Sequence, residues 1–159
     1  ESLSLLAICI SLACLGYLPF NIPRARVFMG DVGSILLGFV FAALVVMLAR
    51  NYLEMVCYAA LLFPFYADEL TTMAVRLQDH ESLVQSHRRH LYQLLVNEAG
   101  MAHWKVTLIY AAAQLAVGVG VLTAGAYGVR PVVLFLTVCF IIFSLASLFI
   151  RNEIKKKQS

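Results

Sequence analysis

The sequence predicts an all-α fold: a polytopic bundle of transmembrane helices with five spans. Three observations predict it. Hydrophobic residues make up 62% of the 159 residues and charged residues only 13%, against about 45–50% and about 25% in soluble domains. Mean hydropathy is +0.84. The charges also fall in clusters, leaving charge-free runs at 2–23, 32–49, 55–67, 106–129 and 131–150. A soluble domain could not bury that much apolar surface. Disorder, a disulfide miniprotein and a nucleic-acid-binding domain are excluded with it, so no nucleic-acid partner is expected.

A helix needs about 20 apolar residues to cross a hydrocarbon core about 30 Å thick. A segment alone in lipid must also satisfy its own backbone. The first two runs predict spans at about 3–20 and 32–50. The third run is short, but Glu54 can sit at one interface and Asp68 with Glu69 at the other, giving a span at about 52–75. The last two runs predict spans at about 105–125 and 130–150. Between them lie longer polar segments at 21–31 and 76–104, and a basic tail at 151–159. Five spans place Arg24, Arg26, Arg76, Arg88, Arg89, Lys105, Arg151, Lys155, Lys156 and Lys157 on one side and only Arg50 and Arg130 on the other. The positive-inside rule puts the first set in the cytoplasm, and with it the polar segments that would carry a site.

The chain begins at Glu1, and no charged n-region with a small-residue cleavage site follows. It reads as a piece of a longer chain. Cys9, Cys14, Cys57 and Cys139 sit in apolar runs without a CxxC pair and read as small buried hydrophobes. Ala112, Ala116, Gly120, Ala124 and Gly128 recur every four residues, a stripe that lets helices approach closely. Gly30, Ser34 and Gly38 make a shorter one. Such stripes suit packing against helices outside this segment, and a homo-oligomer is compatible with them.

The polar chemistry gathers in two places. Asp31 stands where a polar loop enters a span, and a carboxylate at the membrane is costly and usually functional. It suits Mg2+, which takes one or two carboxylates plus substrate phosphates. Gly30 and Gly33 leave room for a ligand to approach the backbone. The competing reading is a helix cap, and spacing alone does not separate the two. The second cluster is His87-Arg88-Arg89-His90. At helical spacing the two histidines share a face, and two arginines beside them suit an anion such as a diphosphate. A dinuclear metal site and a solvated basic helix against anionic membrane lipid are the alternatives. Asp68 either pairs with Arg76 or lines the same cavity as Asp31, and the cavity is the reading preferred here.

Asn21-Ile-Pro-Arg-Ala-Arg-Val-Phe-Met-Gly-Asp-Val-Gly-Ser34, followed by Leu37-Gly38, resembles the PAxxFMGDxGSxxLG signature of the polyprenyl-phosphate sugar-1-phosphate transferases, glycosyltransferase family 4. His87-Arg-Arg-His-Leu-Tyr-Gln93 resembles the family's histidine-bearing loop, which is usually richer in histidine. Tyr92 and Gln93 stand where further histidines are common. The resemblance implies the C-terminal half of a roughly ten-span architecture, with the family's paired-aspartate motif in the missing N-terminal half of the same protein.

It further implies Asp31 as the ligand of Mg2+ (with Mn2+ as a substitute) and as a catalytic residue with His87 and His90. Arg88 and Arg89, with Gly30, Gly33 and Asp68, would bind the substrate. The implied reaction transfers a sugar 1-phosphate from a UDP-sugar to undecaprenyl phosphate, releasing UMP and initiating a lipid-linked cell-envelope glycan such as that of the O-antigen of lipopolysaccharide. The sugar would be an N-acetylhexosamine or a 6-deoxy-N-acetylhexosamine. The segment alone is expected to be inactive. A non-enzymatic transporter or scaffold half with an anion-binding loop is the alternative.

Overall fold

The computed structural model describes residues 2–24, 26–27, 29–82 and 89–158. The chain divides into two compact units, Glu1–Arg50 and Asn51–Ser159.

In the first unit, α1 (Ser2–Tyr17) runs into a 3-10 turn at Leu18–Phe20, and α2 follows at Gly30–Leu48. Pro19 stands in the first positions of the 3-10 turn, where its missing N–H costs nothing but would break a continuing α-helix. Both helices are apolar on every side, the pattern of a membrane span. Leu5, Ile8, Leu12 and Leu15 of α1 are all exposed, as are Val32, Ile35 and Phe39 of α2. Cys9 and Cys14 correct the sequence reading: both are exposed on α1, because nothing else in the first unit covers them.

The second unit contains α3 (Tyr52–Ala59), a 3-10 turn at Ala60–Leu62, α4 (Phe63–Gln78), α5 (Leu91–Asn97), α6 (His103–Gly125) and α7 (Val129–Gln158). Asn51 caps α3 by accepting the Glu54 N–H at 2.9 Å, which satisfies one of the open donors of the first turn. One apolar cluster joins Cys57 and Ala60 to Val117, Val121 and Val132. A second joins Leu91 and Leu95 of α5 to Val106 of α6, with Phe143 and Ile150 of α7 packed on it. The Thr71 and Ser144 hydroxyls meet at 3.3 Å between α4 and α7.

Among the described residues, four helices are long and apolar enough to cross a membrane: Leu3–Phe20, Gly30–Leu48, His103–Gly125 and Val129–Lys156. The remaining expected span, 52–75, forms as two helices of 8 and 16 residues joined by the 3-10 turn. Pro64 explains the break. It lies in the first turn of α4, and a continuous helix would need an N–H at that position. Two further differences follow from local chemistry. Gly128 leaves the small-residue stripe, because α6 ends at Gly125 and Gly128 adopts φ +104° in the turn before α7. The expected tail at 151–159 is helical through Gln158. No glycine or proline interrupts it, and Lys156 pairs with Glu153 at 2.8 Å across one turn.

Candidate functional site

The predicted site residues are divided between the units. Gly30, Asp31 and Gly33 belong to the first; Asp68, Arg89 and His90 belong to the second. His87 and Arg88 lie outside the described residues.

In the first unit the loop before α2 folds back on the end of α1. The Tyr17 hydroxyl donates to the Val27 carbonyl at 2.6 Å, and the Arg26 N–H to the Phe20 carbonyl at 2.9 Å. Gly30 opens α2 at φ +66°, a left-handed conformation that disfavours any side chain. Met29 occupies the N-cap without a side-chain cap bond, and Asp31 follows in the first turn. Asp31 is therefore not the cap residue of α2. Its carboxylate is exposed and stands where the free N–H groups of a helix favour negative charge. The room expected at the two glycines differs. A Cβ on Gly30 would meet nothing within 4 Å, whereas one on Gly33 would overlap the Met29 side chain. The Ser34 hydroxyl turns inward to the Gly30 and Asp31 carbonyls at 3.2 and 3.1 Å.

In the second unit α4 ends in a Schellman turn. The Glu81 N–H donates to the Arg76 carbonyl at 2.9 Å and the His80 N–H to the Leu77 carbonyl at 3.2 Å, with His80 at φ 56°. This turn presents Asp79 and Glu81 to Arg89, whose Nη1 donates to both carboxylates at 2.7 Å. Both bonds leave from one nitrogen, so the Nε–Nη2 edge of the guanidinium is not spent on Asp79 or Glu81. Arg89 also borders a cavity of about 360 Å³, whose lining includes Arg151, Lys155, Asp79 and Glu98.

His90 is the N-cap of α5, in a capping box with Gln93. The Gln93 side chain accepts the His90 N–H at 3.3 Å, and the His90 side chain receives the Gln93 N–H. His90 Nε2 lies 3.7 Å from Glu69 Oε2, and its ring stacks on Tyr92 at 5.7 Å. Burial, then the Asp68 charge, push the Tyr92 phenol above its usual range, so it stays protonated beside the imidazole. Tyr92 and Gln93 thus support His90.

Asp68 is only 3% exposed. Its Oδ1 accepts the Leu91 N–H at 2.8 Å and the Thr72 hydroxyl at 3.2 Å, and its Oδ2 accepts the Tyr110 hydroxyl at 2.8 Å. Arg151 donates to Thr72 Oγ1 at 2.8 Å and to Ser147 Oγ at 3.1 Å. Thr72, Tyr110, Ser147 and Arg151 were not singled out in the sequence. Thr72 had a signal, a hydroxyl one helical turn from a carboxylate. Arg151 was read only as a cytoplasmic charge.

The sequence profile of glycosyl transferase family 4 matches residues 1–49. Phospho-N-acetylmuramoyl-pentapeptide-transferases of Staphylococcus aureus strains JH9, Newman and JH1 are each 33% identical over 113 residues, covering 67% of this chain. The chain belongs to glycosyl transferase family 4. It spans about a third (32%) of the length of those curated relatives. The profile match falls on the unit that holds Asp31, and the longer alignment carries the glycosyl transferase family 4 likeness past Arg50 into the second unit. No solved structure matches the chain.

Proposed function

We propose that the complete protein transfers a sugar 1-phosphate from a UDP-linked N-acetylated hexosamine to undecaprenyl phosphate at the cytoplasmic face of a bacterial inner membrane. The observation that carries this reading is the family match over 1–49, which contains the Asn21–Ser34 run with Asp31 exposed in the first turn of α2. The name of the relatives includes a phospho-sugar of this class, and the charge split favours the cytoplasmic side.

An exposed carboxylate with an open backbone beside it fits Mg2+, which accepts one or two protein carboxylates and takes its other ligands from phosphate and water. Among the described residues no three His, Cys, Asp or Glu side chains gather as a cage, so Asp31 would hold the ion jointly with the donor. The ion supplies charge neutralisation on the diphosphate. Arg89, with Arg88 before it, offers guanidinium N–H groups suited to a diphosphate, and the cavity beside Arg89 offers Lys155 as a further cation. His90 offers an imidazole held by its capping box and by Tyr92. In the reaction an oxygen of the lipid phosphate bonds to the β-phosphorus, the bond from that phosphorus to the bridging oxygen breaks, and UMP leaves.

The test is a donor panel on the full-length protein with undecaprenyl phosphate and Mg2+. It should include UDP-N-acetylhexosamines, their 6-deoxy forms and the muramoyl-pentapeptide donor. UMP release with one donor and a matching lipid-linked product is expected. No UMP with any donor would leave the transporter reading in its place. Cysteine labelling from outside the cell should reach a probe at position 51 or 128 and spare one at 156; the reverse would overturn the orientation.

A further inference from the structure

We infer that Asp68 is a positioning residue: it holds the start of α5 and thereby sets where Arg89 and His90 meet the donor. This rests on the reading of those two residues given above and assigns Asp68 a role other than ligand contact.

The donors to the Asp68 carboxylate come from three elements: Thr72 of α4, Leu91 at the first position of α5 and Tyr110 of α6. Through Thr72 the same carboxylate is tied to Arg151 of α7. Three helices therefore meet at one side chain, and a fourth is joined to it through Thr72. The Leu91 N–H is one of the donors that a helix start leaves without an intrahelical partner, and a neighbouring helix supplies the acceptor. Leu91 adjoins His90, and Glu69, which adjoins Asp68, lies 3.7 Å from the His90 imidazole. Two consecutive residues of α4 thus grip two consecutive residues at the start of α5. A helix of seven residues is too short to hold its own shape in isolation, so its placement depends on such ties and on the burial of Leu91 and Leu95.

The same geometry argues against direct ligation. Both oxygens of a carboxylate only 3% exposed are engaged, and a metal or phosphate would have to displace Leu91 or Tyr110.

The experiment uses the full-length protein in lipid nanodiscs, with hydrogen exchange of the 89–97 amides and steady-state kinetics read on the same samples. Asp68→Ala should speed exchange across 89–97 by about tenfold or more, the scale of a lost charge-assisted bond, while the amides of 110–120 stay slow. It should lower kcat by a similar factor, with KM for the lipid substrate little changed. Asp68→Asn keeps an oxygen for the Leu91 N–H and should stay within about threefold of wild type in both readouts.

Loss of turnover in Asp68→Asn with 89–97 still protected would mean the charge itself is used, and would overturn the inference. Unchanged exchange in Asp68→Ala would overturn it too. Faster exchange with normal turnover would show that the held segment does not serve the reaction, again overturning it. His90→Ala then tells whether the functional reading has failed as well, since normal turnover there removes His90 from the site. If Asp68→Ala does not fold, Tyr110→Phe and Thr72→Val each remove one bond to the same carboxylate. Either should speed exchange at 89–97, and silence in both would overturn the inference.

Discussion

The ring of Phe135 on α7 lies against the bare Cα of Gly120 on α6: a Cβ built there would stand 2.6 Å from Phe135 Cε1. The recurrence of small residues along α6 acquires a local meaning from this contact. Gly120 and the half-buried Ala124 face the interior of the unit, while Ala112 and Ala116, on the same stripe, are exposed.

A sign reversal tests this contact. Gly→Ala inside a helix ordinarily gains about 0.8–1 kcal/mol, whereas overpacking a close contact costs about 1–3 kcal/mol. Gly120→Ala should therefore be neutral or destabilising in the native protein and stabilising in a Phe135→Leu background. Thermal unfolding of the four proteins of the double-mutant cycle measures it. Equal stabilisation in both backgrounds would show that the ring does not press on Gly120.

The turn after α4 carries the opposite opportunity. His80 holds φ 56°, a conformation that glycine adopts freely and other L-residues adopt at a cost. His80→Gly should raise stability by about 0.5–1 kcal/mol, read as a higher Tm, with turnover of the full-length protein unaltered. A lower Tm would mean that the imidazole contributes more than its backbone strain removes.

Asp31→Asn separates chemistry from folding. The substitution keeps the size, and since Met29 rather than Asp31 is the N-cap, little helix stability is at stake. Insertion and Tm should match wild type while turnover of the full-length protein falls by orders of magnitude, with partial recovery at high Mg2+. Near-normal turnover would remove Asp31 from the proposed ion site.

Arg89→Lys asks whether geometry or charge matters. One nitrogen of Arg89 holds Asp79 and Glu81, and the planar fork has a second edge for an anion; lysine has a single ammonium. Turnover should fall about tenfold or more, the scale of a lost charged hydrogen bond, with KM for the UDP-sugar raised. Wild-type kinetics would mean that Arg89 serves only the turn after α4.

Much of the fold was legible because hydropathy in a membrane segment is a one-dimensional signal: four of the five expected spans form as long apolar helices. The break in the remaining one turned on Pro64, hidden inside an apolar run whose length was already marginal. The site was legible to different depths. Asp31 and the His87–His90 cluster announce themselves by polar residues adjacent in sequence. The partners of Asp68 do not, because Leu91 and Tyr110 are 23 and 42 residues away and no spacing rule links them. The partners of Arg151 were hidden for a related reason. Charge counting assigns a side of the membrane but cannot tell that a guanidinium folds inward onto Thr72 and Ser147.

The length of α7 has a geometric consequence. Its 30 residues rise about 45 Å at 1.5 Å each, against a hydrocarbon core of about 30 Å. The final turns therefore stand clear of the apolar layer as a rigid post. Because α5 leans on Phe143 and Ile150 and is linked to Arg151 through Thr72 and Asp68, its position along the bundle is measured out by α7 as by a ruler. One residue inserted below Phe143 would swing the upper part of the post by about 100° and carry Arg151 away from Thr72. Side chains along the lipid-facing surface of α7 can drift, but its residue count cannot.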